Sequence, residues 1–270
     1  PNLMSDVNGE YRRSDRTIAR VADGRAYYST FSLWDTFRAW HPLQTLVDTA
    51  RVNDMIASLL DMYDATGELP VWPLASGETG TMIGYHAVSV IADAYLKGIR
   101  GYDAGKALDA MIRSSNINKK GSEYYVAQGF IPSNVCRESV SCALEYAYDD
   151  WAVARMAEAM GRTETAREYD RRALNYVRVF DGATRFFRGR QADGGWSEPF
   201  DEFMAGRDYT EATPWQYRFF APHEVNGLEQ LFGGREAFVR ELDRLFTLES
   251  PHEDAGLVDI TGLMGQYAHG

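Results

Sequence analysis

The order of polar and apolar residues predicts an all-α protein, an α/α toroid in which an inner ring of helices is wrapped by an outer ring through helical hairpins. Three observations carry this. Apolar residues recur at helical spacing through most of the 270 residues. Segments bearing a single apolar stripe alternate with segments that are apolar almost all round, as outer and inner helices would. The strands that a layered sheet protein needs are not evident.

The elements follow in order. Residues 7–28 carry short polar and β-leaning runs, read as a hairpin or an arm, so 1–28 is set apart as an N-terminal arm or linker and 29–270 as a partial toroid domain. Arg12, Arg13, Arg16, Arg20 and Arg25 form a basic run there, most simply a solvated face. Residues 32–47 make the first inner helix. Val52, Met55, Ile56, Leu59, Leu60 and Tyr63 stripe an outer one. Residues 82–96, with Ile83, Tyr85, Val88, Val90 and Ile91, return to inner character. Ala104, Ala107, Leu108, Met111 and Ile112 are outer, 140–160 inner. Ala166, Tyr169, Ala173, Tyr176, Val177 and Phe180 stripe the next outer helix, then 215–232 is inner and 236–248 outer. Asp48 and Thr49 punctuate a helix start; Gly67, Gly98, Gly101 and Gly233-Gly234 punctuate ends. That gives eight helices. An (α/α)6 ring has six hairpins and twelve helices, so the toroid is expected to be incomplete, about eight of twelve.

Composition narrows the partners. The net charge is −11, from 28 basic and 39 acidic side chains, so nucleic acid and anionic lipid surfaces are repelled at long range. No window reaches 18 uninterrupted apolar residues, and the first 20 residues lack the apolar core of a secretory signal, so no membrane span is expected. Cys136 and Cys142 have neither CxxC nor metal spacing and read as two reduced or buried thiols.

Long loops at 68–81, 115–137 and 182–213 lead into inner helices, and loops are where function is to be sought. Around them sit Tyr27, Tyr28, Phe31, Trp34 and Asp35; Trp72 and Glu78; Tyr124 and Tyr125; and Tyr209, Glu211, Trp215 and Gln216. A toroid would gather these at one end. Sugars present apolar CH faces and many hydroxyls, which rings together with Asp, Glu and Gln satisfy. For Trp34, Trp72 or Trp151 taken singly, core filling is the commoner role. Hydrolysis of a glycoside needs a carboxylic acid at the leaving oxygen and a second carboxylate, about 6.5–9.5 Å away in inverting enzymes. Glu211 has aromatic neighbours suited to desolvating a carboxyl; as a lone glutamate it would be a solvated or helix N-terminal charge. Asp149 and Asp150, adjacent on a long helix, point about 100° apart and read as packing residues. His41, His86 and His223 read as structural histidines.

The run Tyr28-Ser29-Thr30-Phe31-Ser32-Leu33-Trp34-Asp35-Thr36-Phe37-Arg38 resembles the start of the helical domain of glycoside hydrolase family 92, the exo-acting α-mannosidases. Leu69-Pro70-Val71-Trp72-Pro73-Leu74, Met82-Ile83-Gly84-Tyr85-His86, Leu144-Glu145-Tyr146-Ala147-Tyr148-Asp149-Asp150-Trp151 and Gly265-Gln266-Tyr267-Ala268-His269-Gly270 continue the resemblance in order and spacing. It implies a calcium-dependent, inverting hydrolase that removes terminal α-mannose from a glycan, with an (α/α)6 toroid and a separate β-sandwich domain. It implies Glu211 as general acid, because Thr210, Trp215, Gln216 and Tyr217 match around it, although Ala212 replaces the family's glycine. Trp34 and Asp35 match a Trp-Asp pair expected at the terminal mannose. Trp72, Trp215, Gln216 and His269 complete the expected substrate-binding set. The general base, most calcium ligands, the β-sandwich and the remaining helices are expected outside this sequence, so no metal site is expected in it and the chain alone is expected to be nearly inactive. A periplasmic or secreted parent protein is the corresponding expectation. Two other readings stay open: a trehalase-like α-glucoside hydrolase, and a non-catalytic sugar-binding or assembly module.

Overall fold

The structure, a computed structural model, describes residues 1–249 and 264–268. It divides into two compact units, one of Pro1–Ile117 with Asp149–Arg171 and the other of Asn118–Tyr148 with Arg172–Gly270.

The first unit opens with β1 (Asn2–Leu3), β2 (Glu10–Arg12), β3 (Ile18–Arg20) and β4 (Tyr28–Ser29); β2 and β3 form an antiparallel hairpin, and β1 pairs with β4. The basic run of this segment is solvated only in part: Arg12, Arg16 and Arg20 are exposed, whereas Arg13 and Arg25 are anchored. Arg13 binds Asp61 at 3.0 Å and Arg25 binds Asp54 at 2.8 Å, tying the segment to the helix that carries those acids, while Tyr11 stacks on Tyr27 at 3.9 Å. Next come α1 (Leu33–Thr36), α2 (Trp40–Val47) and α3 (Thr49–Thr66). The single helix expected over 32–47 is broken because Pro42 lacks an amide hydrogen and its ring would strike the carbonyl four residues back, at Arg38. Asp48 caps α3 by accepting from the Arg51 amide at 3.1 Å, and Gly67, with φ +84°, ends it in the left-handed conformation. The outer stripe stands: Val52, Met55, Ile56, Leu59 and Leu60 are buried, with Met62 beside them.

A small hairpin of β5 (Pro73–Leu74) and β6 (Gly77–Glu78) leads to α4 (Ala87–Leu96), which is buried on nearly every side, as inner character predicts. It begins five residues later than expected, since Met82 and Gly84 have φ of +66° and +75° and cannot continue a helix. Then α5 (Ala104–Ser114), capped by Asp103, packs on α3 and α4 with Ala107, Leu108, Ala110 and Met111 buried.

In the second unit, α6 (Ser122–Gln128) was not anticipated; it is bracketed by left-handed Gly121 and Gly129. The long α7 (Ser139–Ala159) starts here and its last eleven residues belong to the first unit, as does most of α8 (Thr163–Ala173). Within the first unit, the α7 carboxylates hold the entry to α4. Asp149 accepts from the Tyr85 amide at 2.7 Å and pairs with His86 Nδ1 at 2.8 Å, and Asp150 accepts the Tyr85 hydroxyl at 2.5 Å. Phe37 stacks on the His86 ring at 3.9 Å. Both acids are therefore packing residues with defined partners.

A 3-10 turn, Leu174–Val179, tightens the chain into β7 (Phe180–Asp181), which pairs with β8 (Phe186–Phe187). Beyond them lie α9 (Pro214–Tyr217), α10 (Val225–Leu231) and α11 (Arg235–Thr247). The inner helix expected over 215–232 is two short ones, since Pro222 disfavours helix at Ala221, and α10 buries only Leu228. The core of this unit is aromatic. Trp215, fully buried, meets Phe186 edge-on at 5.3 Å, and the buried Arg218 guanidinium lies 4.1 Å from the Phe186 ring and 4.4 Å from that of Trp215. Its charge is balanced by Glu241 at 2.8 Å. Cys136 and Cys142 are free thiols, and burial pushes that of Cys142 far above its ordinary pKa. Among the described residues no helix is long and apolar enough to cross a membrane.

His41 gives the first unit a defined acid sensitivity. It is 3% exposed, and burial, with a smaller push from the N-terminal ammonium, lowers its pKa to about 3. The folded chain keeps it neutral while the unfolded chain protonates near pH 6.5. Its contribution is thus complete above pH 6.5 and is lost as pH falls towards 3, at about 1.4 kcal/mol per pH unit. Urea unfolding at pH 4.5 and 6.5 should show His41→Phe losing roughly one proton's worth of this slope; an unchanged slope would show that His41 is not held neutral.

Candidate active site

The sequence candidates fall into two groups, one in each unit. In the first unit the strand-to-helix turn before α1 and the β5–β6 hairpin are laced together. Ser29 donates its hydroxyl to the Ala75 carbonyl, and Trp72 donates its indole N–H to Ser32 Oγ at 3.0 Å, while Ser32 in turn donates to Asp35. Trp72, Ser32 and Asp35 thus form one hydrogen-bonded chain that fixes the indole relative to an exposed carboxylate. Trp34 is buried at 3% exposure, with the Arg38 guanidinium over its ring at 5.3 Å. Its place is beneath the turn that presents Asp35. Glu78, grouped with the pocket acids by sequence, closes the hairpin instead. It accepts from the amides of Val71 at 2.8 Å, Trp72 at 3.1 Å and Gly80 at 2.9 Å.

In the second unit everything turns on the stretch 207–217. The start of α7 leaves amides without intrahelical partners, and this stretch supplies them. Arg207 O accepts from Glu138 N at 2.5 Å, and Asp208 O accepts from Val140 N at 3.0 Å and Ser141 N at 3.3 Å. Side chains reinforce the clasp: Ser139 donates to Asp208 Oδ1 at 2.9 Å, Thr210 N donates to Ser141 Oγ at 2.9 Å, and the Thr210 hydroxyl donates to Glu138 Oε1 at 3.0 Å. Burial holds the Asp208 carboxyl above its usual range, opposed by the Ser139 bond. Tyr209 is buried and donates to the Phe187 carbonyl at 2.6 Å, and burial raises its phenol well above normal.

Within this buried run one side chain is turned outward. Tyr209, Thr210, Ala212, Thr213, Pro214 and Trp215 are buried while Glu211 is exposed. Glu211 also has φ +47°, in the left-handed region that costs a side-chain-bearing residue about 1–2 kcal/mol. The positive φ in this turn falls on the glutamate, next to Ala212, where the resembling motif has glycine. Strain of this kind persists only where the surroundings enforce it, and it concentrates at functional positions.

The remaining candidates have other work. Trp215, expected at the substrate, is at the centre of the aromatic core, with its ring packed against Phe186 and Arg218. Gln216 is the fourth member of a capping box: its Oε1 accepts from the Thr213 amide and hydroxyl at 2.5 and 2.6 Å, and its Nε2 donates to the Gln266 carbonyl at 2.5 Å. It braces the turn that carries Glu211. His269 lies outside the described residues.

Two features of the second unit were not foreseen. A groove of about 1120 Å³ runs along the 198–209 loop, with Ser133, Asn134, Gln191 and Pro214 also on its walls. Beneath it, the buried Arg188 pairs with Asp181 and Glu198, each at 2.7 Å, and lies 4.4 Å from the Phe200 ring. The Arg-x-Arg and Gly-Gly-Trp pattern of 188–196 was the available signal. Among the described residues, no three His, Cys, Asp or Glu side chains gather in a way that could hold a metal ion.

Comparison with known proteins converges. All of residues 1–270 match the model of the glycosyl hydrolase family 92 catalytic domain. A solved family GH92 α-mannosidase of Bacteroides thetaiotaomicron, in complex with mannoimidazole, is 38% identical with a TM-score of 0.93, covering 99% of this chain and 36% of its own. A family GH92 inverting mannosidase of the same organism is 32% identical with a TM-score of 0.83, covering 95% of this chain and 36% of its own. A curated relative, an uncharacterized secreted glycosidase of Arthroderma benhamiae, is 27% identical over 232 residues, or 71% of this chain and 30% of that protein. The chain thus spans about a third of the length of these relatives. The likeness bears out the predicted all-α, α/α-toroid class.

The left-handed turn at residue 211 has a measurable cost. Calorimetry should find that Glu211→Gly raises the melting temperature by roughly 2–4 °C, since glycine adopts positive φ freely, while Glu211→Gln leaves it within about a degree. A Glu211→Gly melting point at or below that of the parent would show that the turn is not strained.

Proposed function

Because the chain belongs to glycosyl hydrolase family 92, we propose that it carries the acid-bearing part of an inverting α-mannosidase that removes terminal α-linked mannose from glycans. The observation that carries this reading is the single exposed, left-handed Glu211 in an otherwise buried turn, at the position that the resemblance assigns to the general acid.

In this reading Glu211 delivers a proton to the departing glycosidic oxygen while a water molecule attacks the opposite face of the sugar, activated by a carboxylate contributed from outside this sequence. Proton and attacking water act on opposite faces, so the sugar leaves with inverted configuration. The clasp on α7 and the capping box at Thr213 and Gln216 keep the carboxyl fixed at the turn. The resemblance adds Trp34, Asp35 and Trp72 of the first unit as expected sugar contacts, and within that unit the half-buried Trp72 ring is pinned through Ser32 to the exposed Asp35. Gln216 acts through the turn that it braces. Solved relatives named as α-mannosidases, one of them inverting, support the substrate and the stereochemistry. The relative described as secreted supports action outside the cytoplasm. Calcium belongs to this reading as a requirement of the longer protein.

The test is product analysis with the longer protein. Proton NMR of early hydrolysis of α-1,2-mannobiose should show β-mannose first, and Glu211→Gln should lower kcat about 10²–10⁴-fold, with a smaller loss on an aryl mannoside whose leaving group needs no proton. Release of α-mannose first would overturn inversion, and turnover of trehalose in its place would favour an α-glucoside hydrolase. Chelation with EGTA should abolish turnover and added calcium should restore it; full activity in chelator would remove the metal from the reading.

A further inference from the structure

A separate cavity of about 380 Å³ lies wholly within the first unit, between the β2–β3 hairpin and helices α3 and α5. It shares no wall residue with the groove of the second unit, nor with the chain formed by Trp72, Ser32 and Asp35. Its lining is aromatic. Tyr11 and Tyr27 stack face to face at 3.9 Å, and the half-buried Tyr102 and buried Leu60 add to the apolar surface. Ring faces of this kind receive the CH groups of a sugar, and the volume falls at the small end of the roughly 300–1,000 Å³ of ligand sites.

One polar group in this lining lacks a partner. Tyr27 is 2% exposed, and among the described residues its hydroxyl makes no hydrogen bond. Burial raises the pKa of this phenol, and the wall residues Asp61 and Tyr11 raise it further, so the hydroxyl stands among the lining groups and keeps its proton. A buried donor without an acceptor is costly, and a ligand oxygen would satisfy it.

The charges of the wall exclude an ionic ligand. Three basic side chains, Arg20, Arg25 and Lys106, face three acidic ones, Asp61, Asp64 and Asp103, and each is already engaged within the protein. Arg20 pairs with Glu10 at 3.2 Å, Arg25 with Asp54 at 2.8 Å, Asp61 with Arg13 at 3.0 Å and Asp64 with Lys106, while Asp103 caps α5 through the Lys106 amide at 2.9 Å. An ion would meet no net field here and would have to break a pair. A neutral polyol need not, because a carboxylate that holds one partner keeps lone pairs for a hydroxyl. We infer that this cavity is a second, non-catalytic sugar site, which takes one neutral hexopyranose unit of a glycan with Tyr27 donating to a sugar oxygen and the tyrosine rings against its CH groups.

The longer protein is titrated calorimetrically with methyl β-glucopyranoside, whose ring presents CH groups on both faces and is not the sugar that Glu211 is read as releasing, and with methyl β-glucuronoside and glucosamine as its anionic and cationic counterparts. The neutral glycoside should bind. Tyr27→Phe, which keeps the ring and removes only the hydroxyl, should weaken it about three- to tenfold, with a melting temperature equal to or above the parent's because no protein hydrogen bond is lost. Ala57→Phe, which places a ring on the α3 wall of the cavity, should abolish binding and leave turnover of 4-nitrophenyl α-mannoside within about twofold. The proposal is overturned by an absence of binding, by binding that neither substitution moves, by a Tyr27→Phe melting temperature several degrees below the parent's, or by turnover that falls in step with binding. Either charged sugar binding at least about tenfold more tightly than the neutral one would overturn it too. No turnover by the unsubstituted protein, with the titration intact, would remove the mannosidase reading and leave this site.

Discussion

The clasp between the first turn of α7 and the segment 207–210 is the constraint on which the second unit depends. Six hydrogen bonds join them, and they resolve two problems at once: the amides of Val140 and Ser141 receive acceptors, and the loop that precedes the candidate acid receives a fixed backbone path. Fixing that path is what allows the chain to hold a glutamate at φ +47°. The capping box at Thr213 and Gln216 secures the other end of the turn, so Glu211 is held from both sides by residues that need never touch a substrate.

Carboxylates divide in this protein by burial. The fully buried pair Asp149 and Asp150 satisfies an amide, an imidazole and a phenol at the entry to α4, and Glu78 gathers three amides at the base of the β5–β6 hairpin. Such groups stabilise only while their partners are present, which is the ordinary condition for a charge taken out of water. Glu211 and Asp35 are different: both are exposed, and both sit in turns braced by hydroxyl side chains, Thr210 and Thr213 in one case and Ser32 in the other. Carboxylates of the second sort stand where a ligand can reach them, and those of the first sort fix the backbone of their own elements.

The helices with strong stripes, α3, α5 and α11, were legible because one face is buried and the other is not. The buried α4 and α7 were legible from their apolar circumference. The misplaced boundaries of the inner helices share one cause. At 32–47, 82–96 and 215–232 the apolar spacing runs through Pro42, Gly84 and Pro222, and periodicity carries no information about backbone dihedrals, which those residues decide. Seven-residue α6 is too short to show a stripe, although its bracketing glycines marked it. In the candidate site, the neighbours of Glu211 marked a turn that the structure shows to be buried except at that residue, whereas the burial of Trp215 was not legible: an indole beside a candidate acid reads alike whether it faces a sugar or fills a core. The groove was invisible because its walls come from an irregular loop, where no spacing rule applies.

The clasp engages the backbone of Arg207, Asp208 and Thr210 together with the side chains of Asp208 and Thr210, and none of the side chains that stand along the groove from Asp201 to Gly206. The backbone path through the turn is thereby fixed independently of the groove wall beside it. Residues 201–206 can lengthen or be exchanged as a cassette without breaking any of the six bonds that hold Glu211 at its station.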